Sequence, residues 1–235
     1  TLHVPYGSRS QSAIYQYTLQ AVKHMFEMDC GLIIVACNTA SAAALRQIQQ
    51  DYLPSSPYRD RRILGVVVPT LESALERGHK RFGLLATRYI SGSGIYLEEL
   101  QKINPDINLY TAGAPLLVPM IENGGMKWIK PVLIDYLEPL LEKDIDCLLL
   151  GCTHYPYLKD IIRDVIGDSI DILSQDETIP PKITDYLSRH PEIDVKLRRG
   201  GRSEFYASDI TDSYLKAAER IYGALVPLVQ VDCSG

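Results

Sequence analysis

Apolar residues along the chain fall into two alternating patterns. Short runs in which nearly every residue is apolar stand at 32–36, 63–68, 82–86, 107–110, 147–150 and 170–173, and they predict strands. Between and around them, the stretches 10–28, 39–52, 127–142, 157–166 and 209–222 repeat apolar residues at spacings of three and four, as Ile14, Leu19, Val22, Met25 and Phe26 do in the first. That period predicts helices with one core-facing stripe. Strands apolar on every residue need cover on both faces, so the alternation predicts an α/β fold built of βαβ units around mostly parallel sheets. Turn residues mark the joints. Pro54-Ser55-Ser56-Pro57 reads as a surface loop and Asn123-Gly124-Gly125 closes a segment. The basic cluster Lys196, Arg198, Arg199, Arg202 around Gly200-Gly201 reads as a solvated hairpin rim.

The length of 235 residues suits one large domain or two lobes, with enough chain for a real core. Twenty-four Lys and Arg against 29 Asp and Glu leave a net charge of −5, which argues against nucleic acid as the main partner. No apolar stretch approaches the roughly 20 residues that span a bilayer. The sequence opens without a basic-then-apolar leader, so no membrane partner is expected. The five cysteines are an odd number, which points to free thiols in a reducing cytoplasm. Their spacing lacks the knuckle pattern of a structural zinc, and neither metal nor cofactor is expected. Cys30 and Cys147 read as small buried hydrophobes, and Cys233 lies in a tail expected to have little fixed structure.

The remaining two cysteines stand in echoing contexts. Leu32-Ile33-Ile34-Val35-Ala36-Cys37-Asn38-Thr39 and Leu148-Leu149-Leu150-Gly151-Cys152-Thr153-His154 each run from a strand through a small residue to a cysteine followed by hydrogen-bonding side chains. They lie about half the chain apart. In open parallel sheets ligands bind beyond the carboxyl ends of the strands, where both cysteines fall. A helix starting there offers N–H groups that lower a thiol pKa or bind a carboxylate. Two similar lobes, each a mostly parallel sheet flanked by helices, would then present one thiol each to a shared cleft. Opposed thiols suit racemisation at an α-carbon, where one takes a proton from one face and the other returns a proton to the opposite face.

Val4-Pro5-Tyr6-Gly7-Ser8-Arg9-Ser10, Ala36-Cys37-Asn38-Thr39-Ala40-Ser41 and Gly151-Cys152-Thr153-His154-Tyr155-Pro156 resemble the three signature segments of bacterial glutamate racemases, in order and at suitable spacing. The resemblance runs from about residue 1 to about residue 222, where Glu204-Phe205-Tyr206 and the helix after it resemble the family's C-terminal end. It implies a cofactor-independent isomerase that interconverts L- and D-glutamate for peptidoglycan precursors. Cys37 and Cys152 would be the acid/base pair, aided by His154 and Glu122. Tyr6, Gly7, Asn38, Thr39, Thr87, Thr153 and His154 would contact the substrate, with Tyr6 the only tyrosine connected to the site. Two lobes are implied, one from 1–68 plus 179–223 and one from 69–178, followed by a tail over 224–235. Family members are often dimers, so a homodimer is also an expectation.

The sequence departs from the family pattern in places. The family usually has a strand and an Asp-Ser-Gly loop ahead of Val-Pro-Tyr-Gly, and this sequence opens at Thr1-Leu2-His3, which implies a first sheet one strand short with an exposed edge and weakened catalysis. Val68-Pro69-Thr70 stands for Glu-Pro-Gly, Ile90 for a threonine, and Leu173-Ser174 for Asp-Ser. Val68 and Ile90 leave aspartate or diaminopimelate open as substrates. The alternative from another class is a weakly active family member with a binding role.

Overall fold

The computed structural model describes residues 3–232, and in it strands and helices alternate along the chain. A 3₁₀ turn at Tyr6–Ser8 leads into α1 (Gln11–Glu27), where the Ser10 hydroxyl caps the helix by accepting from the Ala13 N–H at 3.3 Å. β1 (Leu32–Val35) runs into α2 (38–52), a helix that starts with an α turn at Asn38–Ala40 and widens into π turns at Ser41–Leu45 and Ile48–Tyr52. Next come β2 (Arg62–Gly65), α3 (Val67–Glu76), β3 (Arg81–Ala86), α4 (Arg88–Ser93), α5 (Ile95–Ile103), β4 (Asn108–Gly113), α6 (Leu117–Glu122) and α7 (Ile129–Leu141). The chain continues through β5 (Cys147–Gly151), α8 (Lys159–Ile166), β6 (Asp171–Leu173), α9 (Gln175–Arg189) and α10 (Pro191–Asp194). It closes with β7 (Phe205–Ala207), α11 (Asp212–Tyr222) and β8 (Leu228–Gln230).

All strand pairs are parallel. β1 pairs with β2 alone among the described residues, so its other edge carries no strand; β4-β3-β5-β6 form the larger sheet, and β7 pairs with β8. The apolar run of β5 shows why such a strand has no polar alternation. Leu148 and Leu150 pack into the core under α6, α7 and α8, while Cys147 and Leu149 pack into the core under α3, α4 and α5, so every residue of the strand is buried. In the smaller sheet Ile33 and Val35 face α1 and α2, and Ile34 between them is 37% exposed.

The run at 63–68 is shorter as a strand than expected, because Val66 already takes helical backbone angles and accepts from the Thr70 N–H and hydroxyl. One apolar run thus serves a strand end and the first buried turn of α3. The helices α3 to α6, α9 and α10 lie outside the five expected stretches; in α9 the prolines Pro180 and Pro181 interrupt the helical reading. The segment expected as a tail contains β8, while Cys233 lies outside the described residues. The basic cluster sits in a helix-to-strand loop rather than a hairpin, and its cations are paired: Lys196 with Asp60, Arg198 with Asp29, Arg199 with Asp194 and Arg202 with Glu204. Cys147 is fully buried, but Cys30 is only half-buried. Among the described residues no helix is long and apolar enough to cross a membrane.

Candidate active site

Cys37 follows β1 and is the residue before the first turn of α2; Cys152 follows β5. The two sulfurs have similar local surroundings. The backbone N–H groups of Thr39 and Ala40 and the Thr39 hydroxyl favour the Cys37 thiolate, and the His154 N–H and the Thr153 hydroxyl favour the Cys152 thiolate. Both thiols line one cavity of about 410 Å³, within the size range of small-molecule sites. Tyr6, Gly7, Asn38, Thr39, Thr87, Glu122, Thr153 and His154 line it too, so the residues singled out in the sequence share one space.

Burial acts on the thiols more strongly than the helix donors do. Desolvation raises the Cys37 thiol, and the N–H groups of Ala40 and Thr39 only partly offset it. Cys152 is pushed up to about 12, first by burial and then by the charges of Cys37 and Glu122, against the pull of the His154 N–H and the Thr153 hydroxyl. The expected lowering at a helix N-terminus is therefore overturned in sign. A 3₁₀ turn at Tyr155–Leu158 separates Cys152 from α8, whereas Cys37 stands directly before α2.

The two sides differ in what stands behind the sulfur. His154 Nδ1 lies 3.8 Å from Cys152 Sγ, and His154 Nε2 lies 3.0 Å from Glu122 Oε1. With the carboxylate accepting from Nε2–H, the lone pair of Nδ1 faces the thiol and can take its proton. Glu122 ends α6, and the Arg220 guanidinium of α11 donates to the Ile121 and Glu122 carbonyls at 2.7 Å each. Tyr157 also donates to the Ile221 carbonyl, so α11 is tied to this wall of the cavity twice.

Contacts across the cavity hold the β1 and β3 sides together. The Thr39 and Thr87 hydroxyls are 3.1 Å apart, and Thr87 also caps α4 through the Ile90 N–H. A Cβ on Gly7 would stand 2.8 Å from Thr87 Cβ, so only glycine lets the Tyr6–Ser8 turn come this close. Asn38 is buried, and its Oδ1 accepts from the Tyr96 hydroxyl at 2.5 Å and from Gln175 Nε2 at 3.2 Å. Tyr96 thus joins the site through Asn38, contrary to the expectation that Tyr6 alone does. Arg88 lines the cavity as well and had no signal beyond its place next to Thr87. Ile90 packs in the core with Tyr96 and Leu100, and Val68 lines a separate groove on the outer side of β1 and β2. Neither departure from the family pattern faces the thiols.

A family model for Asp/Glu/hydantoin racemases matches residues 3–174. The chain belongs to that racemase family. A glutamate racemase of Roseobacter denitrificans is 37% identical over 204 residues, covering 80% of this chain and 74% of that protein. Among solved structures, a glutamate racemase isoform of Bacillus anthracis superposes with a TM-score of 0.87 at 26% identity, over 99% of this chain and 85% of that one. The glutamate racemase of Francisella tularensis, solved with D-glutamate, gives 0.86 at 25% identity with the same coverage. These matches fit the parallel α/β architecture and make this racemase-family chain an isomerase by descent. The two cysteines follow strands of different sheets and share the one cavity.

Proposed function

We propose that the chain interconverts L- and D-glutamate without a cofactor, using Cys37 and Cys152 as opposed acid and base. The observation that carries this reading is that two thiols, each just past the end of a parallel strand, line one cavity, each with the N–H two residues on and a threonine hydroxyl favouring its thiolate. In the forward direction one sulfur, as thiolate, takes the α-proton. The C–H electron pair stays on the substrate as a carbanion stabilised by its carboxylate, and the opposite thiol then protonates the other face. The proton lost equals the proton gained. The negative charge has moved from one sulfur to the other, and the reverse reaction runs the same path.

Ionising a thiol here requires overcoming its burial. The neighbouring N–H groups and threonine hydroxyls favour either thiolate, and on the Cys152 side His154, oriented by Glu122, receives the proton. Asn38, Thr39, Thr87 and Thr153 offer donors for the substrate's carboxylates, and Tyr6 and Gly7 line the same cavity. Two lobes, 1–68 plus 179–223 and 69–178, fit substrate entry by opening of the cleft between them. A cytoplasmic role in supplying D-glutamate for peptidoglycan belongs to the same reading.

The test is proton NMR of L-glutamate in D₂O, following loss of the α-proton signal, with a chiral assay for the D-product. Cys37→Ser and Cys152→Ser are each expected to slow racemisation by at least about a hundredfold. Full racemisation by either variant overturns the two-thiol mechanism. A higher kcat/KM for aspartate or diaminopimelate than for glutamate reassigns the substrate.

A further inference from the structure

The two ends of the Asn38 carboxamide are treated differently. Its oxygen is held from two directions, by the Tyr96 hydroxyl and by Gln175 Nε2, while its Nδ2 has no protein partner although the residue is 2% exposed. A carboxamide is planar, so fixing Oδ1 with two donors fixes where the two Nδ2 hydrogens point. Asn38 lines the cavity next to Cys37. Buried donors are costly when left unmade, and a group entering the cavity with acceptor oxygens would satisfy them.

Gln175 itself is 7% exposed and is not among the cavity-lining residues. Its Oε1 also lacks a partner, so its single side-chain hydrogen bond is the one it gives to Asn38. A half-satisfied buried glutamine is a poor choice for packing alone; methionine would fill the same space without the penalty. The three side chains also come from separate places: Asn38 opens α2 after β1, Tyr96 lies in α5, and Gln175 begins α9 where the chain leaves β6. The amide is therefore oriented only when these three segments stand together.

We propose that Gln175 is a positioning residue for the racemase reaction: with Tyr96 it holds the Asn38 carboxamide so that its N–H groups face the cavity and donate to a carboxylate of the amino-acid substrate. The inference rests on the glutamate reading above and adds a residue that never touches the substrate. Its signature is a loss of substrate affinity with the chemical step spared.

The test compares wild type, Gln175→Met, Gln175→Glu, Tyr96→Phe, Asn38→Ala and the double variant Asn38→Ala/Gln175→Met, with thermal melts as a check on folding. Gln175→Met, which keeps the volume and removes the donor, is expected to raise KM for glutamate about tenfold with kcat within about twofold. Tyr96→Phe should move KM in the same direction. Gln175→Glu should raise KM further, because a carboxylate at that position attracts Nδ2 and turns the amide away from the cavity. Adding Gln175→Met to Asn38→Ala should change KM by less than about twofold, since the two act through one group. Should Gln175→Met fold poorly, Tyr96→Phe and Gln175→Glu decide the matter. An unchanged KM in folded variants, or independent effects of Asn38→Ala and Gln175→Met, overturns the role of Gln175. Absence of α-proton exchange by wild type rejects the glutamate reading itself, and the positioning role with it.

Discussion

Cys37 and Cys152 share local surroundings that follow from a short segment of chain: a strand ends, the cysteine follows, and the N–H two residues after it favours the thiolate. What differs is the distant support. Only Cys152 has an imidazole beside it, and that imidazole is held by Glu122, far off in sequence at the end of α6. Glu122→Gln keeps the shape and removes the acceptor charge, so it is expected to lower kcat/KM about 10- to 100-fold. Because the two enantiomers of a free amino acid have equal energy, the fall must be the same starting from L- or D-glutamate. Measuring both directions checks this. Gly151, just before Cys152, has no room for a side chain, since a Cβ would lie 2.9 Å from both Ala86 Cβ and Leu84 Cδ1. Gly151→Ala is expected to cost about 1–3 kcal/mol and to reduce turnover by displacing Cys152, read from a thermal melt and kcat. The cysteines, Thr39, Thr153 and His154 are legible in the sequence because each lies within two residues of a thiol. Tyr96 and Gln175 are not, because their bonds to Asn38 span 58 and 137 residues.

At the scale of elements, the strands of the larger sheet are the most legible part of the fold. β3, β5 and β6 stand within a residue of their apolar runs, because burial on both faces leaves no polar position inside them. Helix periodicity is a weaker guide. α4 and α6 span only Arg88–Ser93 and Leu117–Glu122, too short to display a stripe, yet they carry Arg88 and Glu122 to the cavity. α11 is amphipathic and was expected, but its second task, donating through Arg220 to the last carbonyls of α6, depends on how the elements meet. Arg220→Met removes that tie while keeping the aliphatic stem. It is expected to cost about 1 kcal/mol in urea unfolding and to lower kcat less than Glu122→Gln does.

For the whole molecule, buried thiols link stability to pH. Burial raises Cys37, Cys147 and Cys152 above the usual thiol range. In the unfolded chain these groups ionise near about 8.5, while in the folded protein Cys152 keeps its proton until about 12. Below the unfolded value both states are protonated and the stabilisation is complete. As pH rises through that window the unfolded chain loses protons that the folded chain retains, so folding is expected to weaken progressively. Urea midpoints measured between about pH 8 and 11 should fall with pH, and Cys147→Ala, which removes one such thiol away from the cavity, should flatten the slope.

The sequence by itself determined the α/β class, the strand runs of the larger sheet and the family, because continuous apolar runs and contiguous cysteine motifs are local in the chain. Tertiary structure alone decided that burial outweighs the helix donors at both sulfurs, that Ile90 and Val68 face away from the thiols, and that Arg88 joins the cavity wall. It also decided that Asn38 is oriented by Tyr96 and Gln175. These outcomes depend on desolvation and on contacts between residues far apart in sequence, and both come into being only when the segments pack against one another.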